Sequence, residues 1–206
     1  MATAGEAPVA LAADVLRFWF GEDLSRPLAN SERWFRRDTA FDNEVRERFG
    51  GLLQLAGQRA CDHWNDWPDT ALALVIVLDQ FSRNIHRDSG QAFAHDALAR
   101  QCTLAGVARG QDTMLPPVQR WFFYMPLMHA EDLALQDRGL VLFGDLAATP
   151  NLAADVAEAL AGVVDYALRH RDVIERFGRF PHRNAVLGRE STPEERAWLE
   201  AHPDGF

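Results

Sequence analysis

Asp79, Gln80, Arg83 and Asn84 fall close together in the stretch TALALVIVLDQFSRNIHR, which runs from Thr70 to Arg87. Asp79 and Arg83 are four apart, as are Gln80 and Asn84, so in a helix each pair shares a face. An acid and an arginine at this spacing can anchor a helix end as an ion pair. The same arginine can also offer a planar fork to an anionic ligand, with the amides orienting it. His86 and Arg87 follow at the helix end, where cations suit the dipole.

A second group lies in WFFYMPLMHAED, where His129 stands beside Glu131 and Asp132. A histidine with a neighbouring carboxylate is the material of a general base and its orienting partner. The three residues would also be the first ligands of a divalent metal, but one histidine beside two acids falls far short of H-E-x-x-H, and no metal or cofactor is assigned. A third group crowds GRFPHRNAVLGR and its approach: Arg176, Arg179, His182, Arg183, Asn184 and Arg189. Such cations repel one another unless acids or a bound anion intervene. Asp79, Glu131 and Asp132 are the expected acids, and a phosphate or carboxylate is the expected anion.

These side chains must be positioned by helices. Ala71 to Leu78 is apolar without a break, so this helix belongs in the core, and it carries Asp79 and its neighbours towards buried ground. Pro8 opens a first helix that stops at Gly21; Asp38 caps a second, weakened at Gly50-Gly51 and resuming from Leu52 to about Trp64. Asp69 or Thr70 is expected to cap the central helix. Further helices are expected over Gln91–Arg109, Val118 to about Asp137 with a kink at Pro126, and Asn151 to about Phe177. A loop is expected from Gly139 to Ala148. Thr192 and Glu195 match a capping box that opens the last helix. No stretch alternates long enough to form a sheet, so the fold is all-α, with roughly seven or eight helices in antiparallel pairs. The absence of a low-complexity linker argues for one domain over residues 1–206, with residues 1–7 a disordered tail.

Composition narrows the function. With 21 basic against 30 acidic residues the chain carries a net charge of −9, which argues against nucleic-acid or anionic-membrane binding. Every basic residue is arginine, so lysine nucleophiles and Schiff bases are excluded and each cation is a bidentate fork. Cys61 and Cys102 lack a metal-type spacing and are expected to be buried free thiols, consistent with a cytoplasmic location. No signal-peptide pattern and no apolar run of membrane-spanning length occurs. Phosphate-binding glycine loops, the G-x-S-x-G elbow and zinc-finger spacings are missing from the sequence.

Four ordered motifs, VLRFWFGE, LVIVLDQFSRNIHR, FFYMPLMHAED and RFGRFPHRNAVLGR, resemble the uncharacterised bacterial family known as domain of unknown function 924. The resemblance runs from about Asp14 to Phe206. It implies a TPR-like helical superhelix and no established activity. Its motif positions correspond to Asp79, Gln80, Arg83, Asn84, His129, Glu131, Asp132, Arg179, His182, Arg183 and Asn184.

The expected function is an interior pocket in which Arg83, Arg179 and Arg183 grip a small anionic ligand or an acidic peptide end. Asn84 and Asn184 would orient it and His182 would add a donor. An enzyme with His129 or His182 as base and Asp132 or Glu131 as orienting partner is the alternative class. A protein-interaction module whose charged motifs only hold the fold is the third. All three depend on the arginine-rich loop folding over the polar end of the most apolar helix.

Overall fold

Ala71 to Ser82 are buried without exception, and four of the other long helices pack around the helix that carries them. The computed structural model describes residues 6–203, with side-chain surroundings from residue 11 onward. Among the described residues there is no strand; eight helices have seven residues or more, as the hydrophobic periodicity predicts. The tail expected at residues 1–7 lies for the most part outside the described residues, and α1 (Glu6–Phe20) already includes Glu6 and Ala7.

After α2 (Ser31–Trp34) and α3 (Thr39–Gly57) comes the central rod. It consists of α4 (Pro68–Val75), a π-helical turn (Ile76–Phe81) and α5 (Ser82–Ile85). Helices α1, α3, α6 (Asp96–Ala108) and α7 (Pro117–Met128) pack around it. Helix α8 (Leu133–Ala147) lies against α7 and α9 (Ala154–Phe177), and α10 (Pro193–Ala201) sits by the short turn Pro181–Arg183. Aromatic rings fill the interior: Trp34 meets Phe122 edge-on at 4.7 Å, and Phe49 stacks on Phe81 at 4.7 Å.

Local signals explain several helix ends. Asp38 accepts from the amides of Ala40 and Phe41, and Thr192 and Glu195 close the capping box in both directions. The central rod starts one residue before the expected caps. Pro68, whose φ is pre-set for a first turn, opens it, while the Thr70 hydroxyl donates to the Trp64 carbonyl. Helix α3 runs through Gly50-Gly51 and ends at Gly57, short of Trp64. Helices α6 and α9 begin later than expected, at Asp96 and Ala154.

Residues 129–148 depart most from the sequence pattern. The sequence pattern predicts a single helix to about Asp137, followed by a loop. Instead α7 stops at Met128, the chain turns, and the supposed loop is most of α8. The buried Gln136 amide donates to the carbonyls of Met128 and Ala130 and so satisfies the end of α7. Asp132 caps α8 by accepting from the Leu135 amide. Gly139 is no helix breaker here: a Cβ on it would lie 3.1 Å from the Leu127 Cβ, so it marks a close approach of α8 to α7.

Candidate functional site

Asp79 is the most deeply buried acid of the central rod, 1 % exposed, and lies in the π turn. Such turns, with bonds reaching back five residues, are frequent at functional sites. Its carboxylate Oδ1 is 2.7 Å from His129 Nδ1 and 3.1 Å from Arg83 Nη1. The Gln80 amide donates to the other oxygen, Oδ2, and also reaches Met125 Sδ at 3.6 Å. Burial works against a charge on Asp79, but the Arg83 guanidinium and His129 hold its carboxyl well below the ordinary range. His129 is held neutral, by desolvation first and then by Arg83. With Asp79 ionised, Nδ1 carries the proton and Nε2 the lone pair.

The network extends outward. Arg83 forms a fork with Asp96, at 2.9 and 3.1 Å, and donates to the Asp79 carbonyl at 2.8 Å. Arg183 Nη1 reaches the same Asp96 at 3.3 Å. Its guanidinium lies over the rings of Phe93 and Phe180, at 4.5 and 4.4 Å. Arg183 is 6 % exposed, and its Nε–H is buried without an acceptor among the described residues. Desolvation, then repulsion from Arg83, pushes its pKa down to about 10, so it stays charged at neutral pH. A buried cation so sparsely partnered is costly, where Arg83 beside it is fully engaged.

His170, from α9, completes the wall. Its ring is 6.3 Å from that of His129 and 5.5 Å from that of Phe180, and its Nδ1 bonds the Tyr166 carbonyl at 2.9 Å. Desolvation, reinforced by His129, depresses its pKa to about 3. His182 is exposed, with its ring 5.5 Å from Phe180.

The C-terminal loop therefore does fold over the polar end of the central helix, and Asp96 is the bridge. Not every expected partner converges there. Asn84 points elsewhere, donating to Asp42 at 2.8 Å, and Asp42 also receives the Arg87 fork at 2.6 and 2.7 Å. Arg179 is engaged by Glu195 at 2.6 and 2.8 Å. Asn184 donates to Ser191 and Glu195 and accepts from Arg189. Glu131 does neutralise the loop: it takes the Arg189 fork at 2.6 and 2.9 Å and the Phe180 amide at 2.8 Å. Asp132 is exposed and serves as a helix cap. Thus Asp79, and neither Asp132 nor Glu131, orients His129. His129, Glu131 and Asp132 bond in three different places, and among the described residues no three His, Cys, Asp or Glu side chains are grouped to hold a metal ion.

Asp96, Asp42, His170 and Phe93 escaped the sequence argument. Only one, Asp42, lies at helix spacing from a recognised signal, four after the Asp38 cap; the others share no spacing with the motifs they join. A surface groove of about 560 Å³ between residues 24–29, 116–118 and 151–156 shares none of these side chains.

Fold and site together define an all-α protein in which acids and arginines alternate, buried at Asp79 and Arg183 and half-buried at Arg83 and Asp96, beside two neutral histidines. The chain belongs to the family described as bacterial protein of unknown function, DUF924, whose model matches residues 15–203. It is similar to the solved structure of ATU0120 from Agrobacterium tumefaciens, itself titled a protein of unknown function. The two are 40 % identical, with 94 % of this chain and 98 % of that one covered and a TM-score of 0.79. No curated protein matches. Among the described residues no helix is long and apolar enough to cross a membrane.

Proposed function

We propose that the protein binds a small anionic ligand at Arg183, beside the Asp79–His129 pair. One observation carries this: Arg183 is a buried guanidinium with an unaccepted Nε–H and one 3.3 Å bond to a carboxylate that Arg83 already occupies. A phosphate or carboxylate oxygen is the acceptor that such a fork lacks. Arg83 and Arg179, expected to share the grip, are taken up by Asp96 and Glu195 and act as scaffold. The consecutive packing of α7, α8 and α9 supports the TPR-like frame within the same proposal.

Thermal-shift titration with inorganic phosphate and acetate tests it, comparing the wild type with Arg183→Met. A ligand bound only by the folded state adds about 2.7 kcal/mol at 100 times Kd. The wild type should gain melting temperature and the variant should not. A wild type indifferent to both anions removes the proposal.

An enzymatic second reading is favoured by the 2.7 Å His129–Asp79 contact. A neutral imidazole fixed at Nδ1 by a buried carboxylate presents Nε2 to take a proton from water or from a bound substrate. A panel of phosphate and carboxylate esters is the direct assay. If turnover exists, His129→Gln should lower kcat by at least about a hundredfold with KM little changed.

A further inference from the structure

We propose that the cavity between the C-terminal end of α3, the turn Asp62–Asp66 and α6 binds a small α-amino acid as its zwitterion. It holds about 180 Å³ and shares no lining residue with the Arg183 site. Pockets for drug-sized molecules hold roughly 300–1,000 Å³, so this one admits only something smaller. Its floor is apolar and deep. Leu78, 1 % exposed, comes from the central rod, and Leu98 and Cys102 come from one face of α6. Desolvation pushes the Cys102 thiol up to about 11, so at neutral pH it stays protonated and serves as a wall, not a nucleophile.

The polar lining carries charges of both signs. Arg59 donates its Nε–H to Asp62 Oδ2 at 2.9 Å, which leaves both its Nη groups and Asp62 Oδ1 without partners among the described residues. Arg109 spends Nη2 on the Asn65 carbonyl at 2.7 Å and on Gln111 Oε1 at 3.4 Å, and its Nη1 stays open. The Asn65 amide nitrogen donates to the Asp62 carbonyl at 3.0 Å, while its Oδ1 is buried with no hydrogen-bond partner among the described residues. Each kind of group asks for a different part of one ligand. Unused guanidinium N–H groups suit a carboxylate, and an amide oxygen near a half-used carboxylate suits an ammonium. A plain anion would face Asp62, and a plain cation would face two arginines. A zwitterion answers both, with a short aliphatic side chain against Leu78 and Leu98. Arg59 also stands at φ +65°, in the left-handed region where glycine is at ease, so the chain keeps a guanidinium here against a conformational cost.

Calorimetric titration of the full chain with L-valine, isobutyrate and isobutylamine tests the proposal, since each analogue deletes one charged end. Valine should bind at least about tenfold tighter than either, the loss expected for one charge-assisted hydrogen bond. Ala105→Phe, on the α6 wall of the cavity, should abolish valine binding by filling the space. Asp62→Asn, at an exposed position, should erase the preference over isobutyrate and keeps the test open should the first variant fail to fold. Valine that gives neither saturable heat nor a rise in melting temperature overturns the proposal. Equal affinity for valine and either analogue overturns it too, as does valine binding that neither substitution weakens.

Discussion

Arg83 and Arg183 share one acid, Asp96, yet their energetic roles differ. Arg83 has Asp79 and Asp96 as counterions and a carbonyl acceptor besides, so its removal takes the only guanidinium from the buried Asp79 and leaves Asp96 to Arg183. Arg83→Ala and Asp79→Ala should each cost roughly 3–5 kcal/mol in urea unfolding, the penalty of breaking a buried pair. Arg183→Met should instead be near neutral or stabilising, because methionine fits between Phe93 and Phe180 without a buried, half-partnered charge. If Arg183→Met destabilises as much as Arg83→Ala, Arg183 is part of the scaffold and the anion site loses its main support. His129 and Asp79 were both visible as candidates in the sequence. Their partnership was not, because they lie 50 positions apart and an acid nearer in sequence offered itself.

At the scale of elements, glycines that look alike in the sequence do opposite work. Gly106 in α6 faces the buried Phe123 ring, and a Cβ there would stand 2.4 Å from its Cζ. Gly106→Ala should therefore destabilise by about 1–3 kcal/mol through overpacking. Gly162 in α9 has open space around the same position, and Gly162→Ala should stabilise by roughly 0.5–1 kcal/mol by restricting the unfolded chain. Parallel thermal melts of the two variants check both signs. Capping was the most legible feature: Asp38, Thr192 and Glu195 were recognisable because a cap is a contact between residues two or three apart. The break between α7 and α8 was hidden, since Gln136 ends α7 from eight residues away.

For the whole molecule, the two buried histidines predict an acid response that starts near neutrality. His170 has a pKa of about 3 in the fold against 6.5 ordinarily, and that of His129 is also lowered, by burial and by Arg83. Between those values the unfolded chain binds protons that the folded one refuses, so stability rises with pH. It should be fully present above about pH 6.5 and decline steadily as the pH falls towards 3. The depressed acids act lower down. Glu195, held at about 2 by the Arg179 fork, contributes stability that begins to fade only below its ordinary value of 4.5. Urea midpoints between pH 7 and 5 should therefore drop in the wild type and drop less in His170→Asn. A pH-independent midpoint over that window would mean that the imidazoles protonate freely in the fold.

The sequence by itself determined the all-α class, the burial of the central rod, several caps and the residue types of the site. These follow from periodicity and from contacts within a turn or two, which a chain carries in its local order. Only the tertiary structure decided which acid meets which arginine: Asp96 links Arg83 to Arg183, Asp42 draws Asn84 away, and Glu195 engages Arg179. With 30 acids available to 21 arginines, spacing cannot choose among pairings that helix packing brings together from distant parts of the chain.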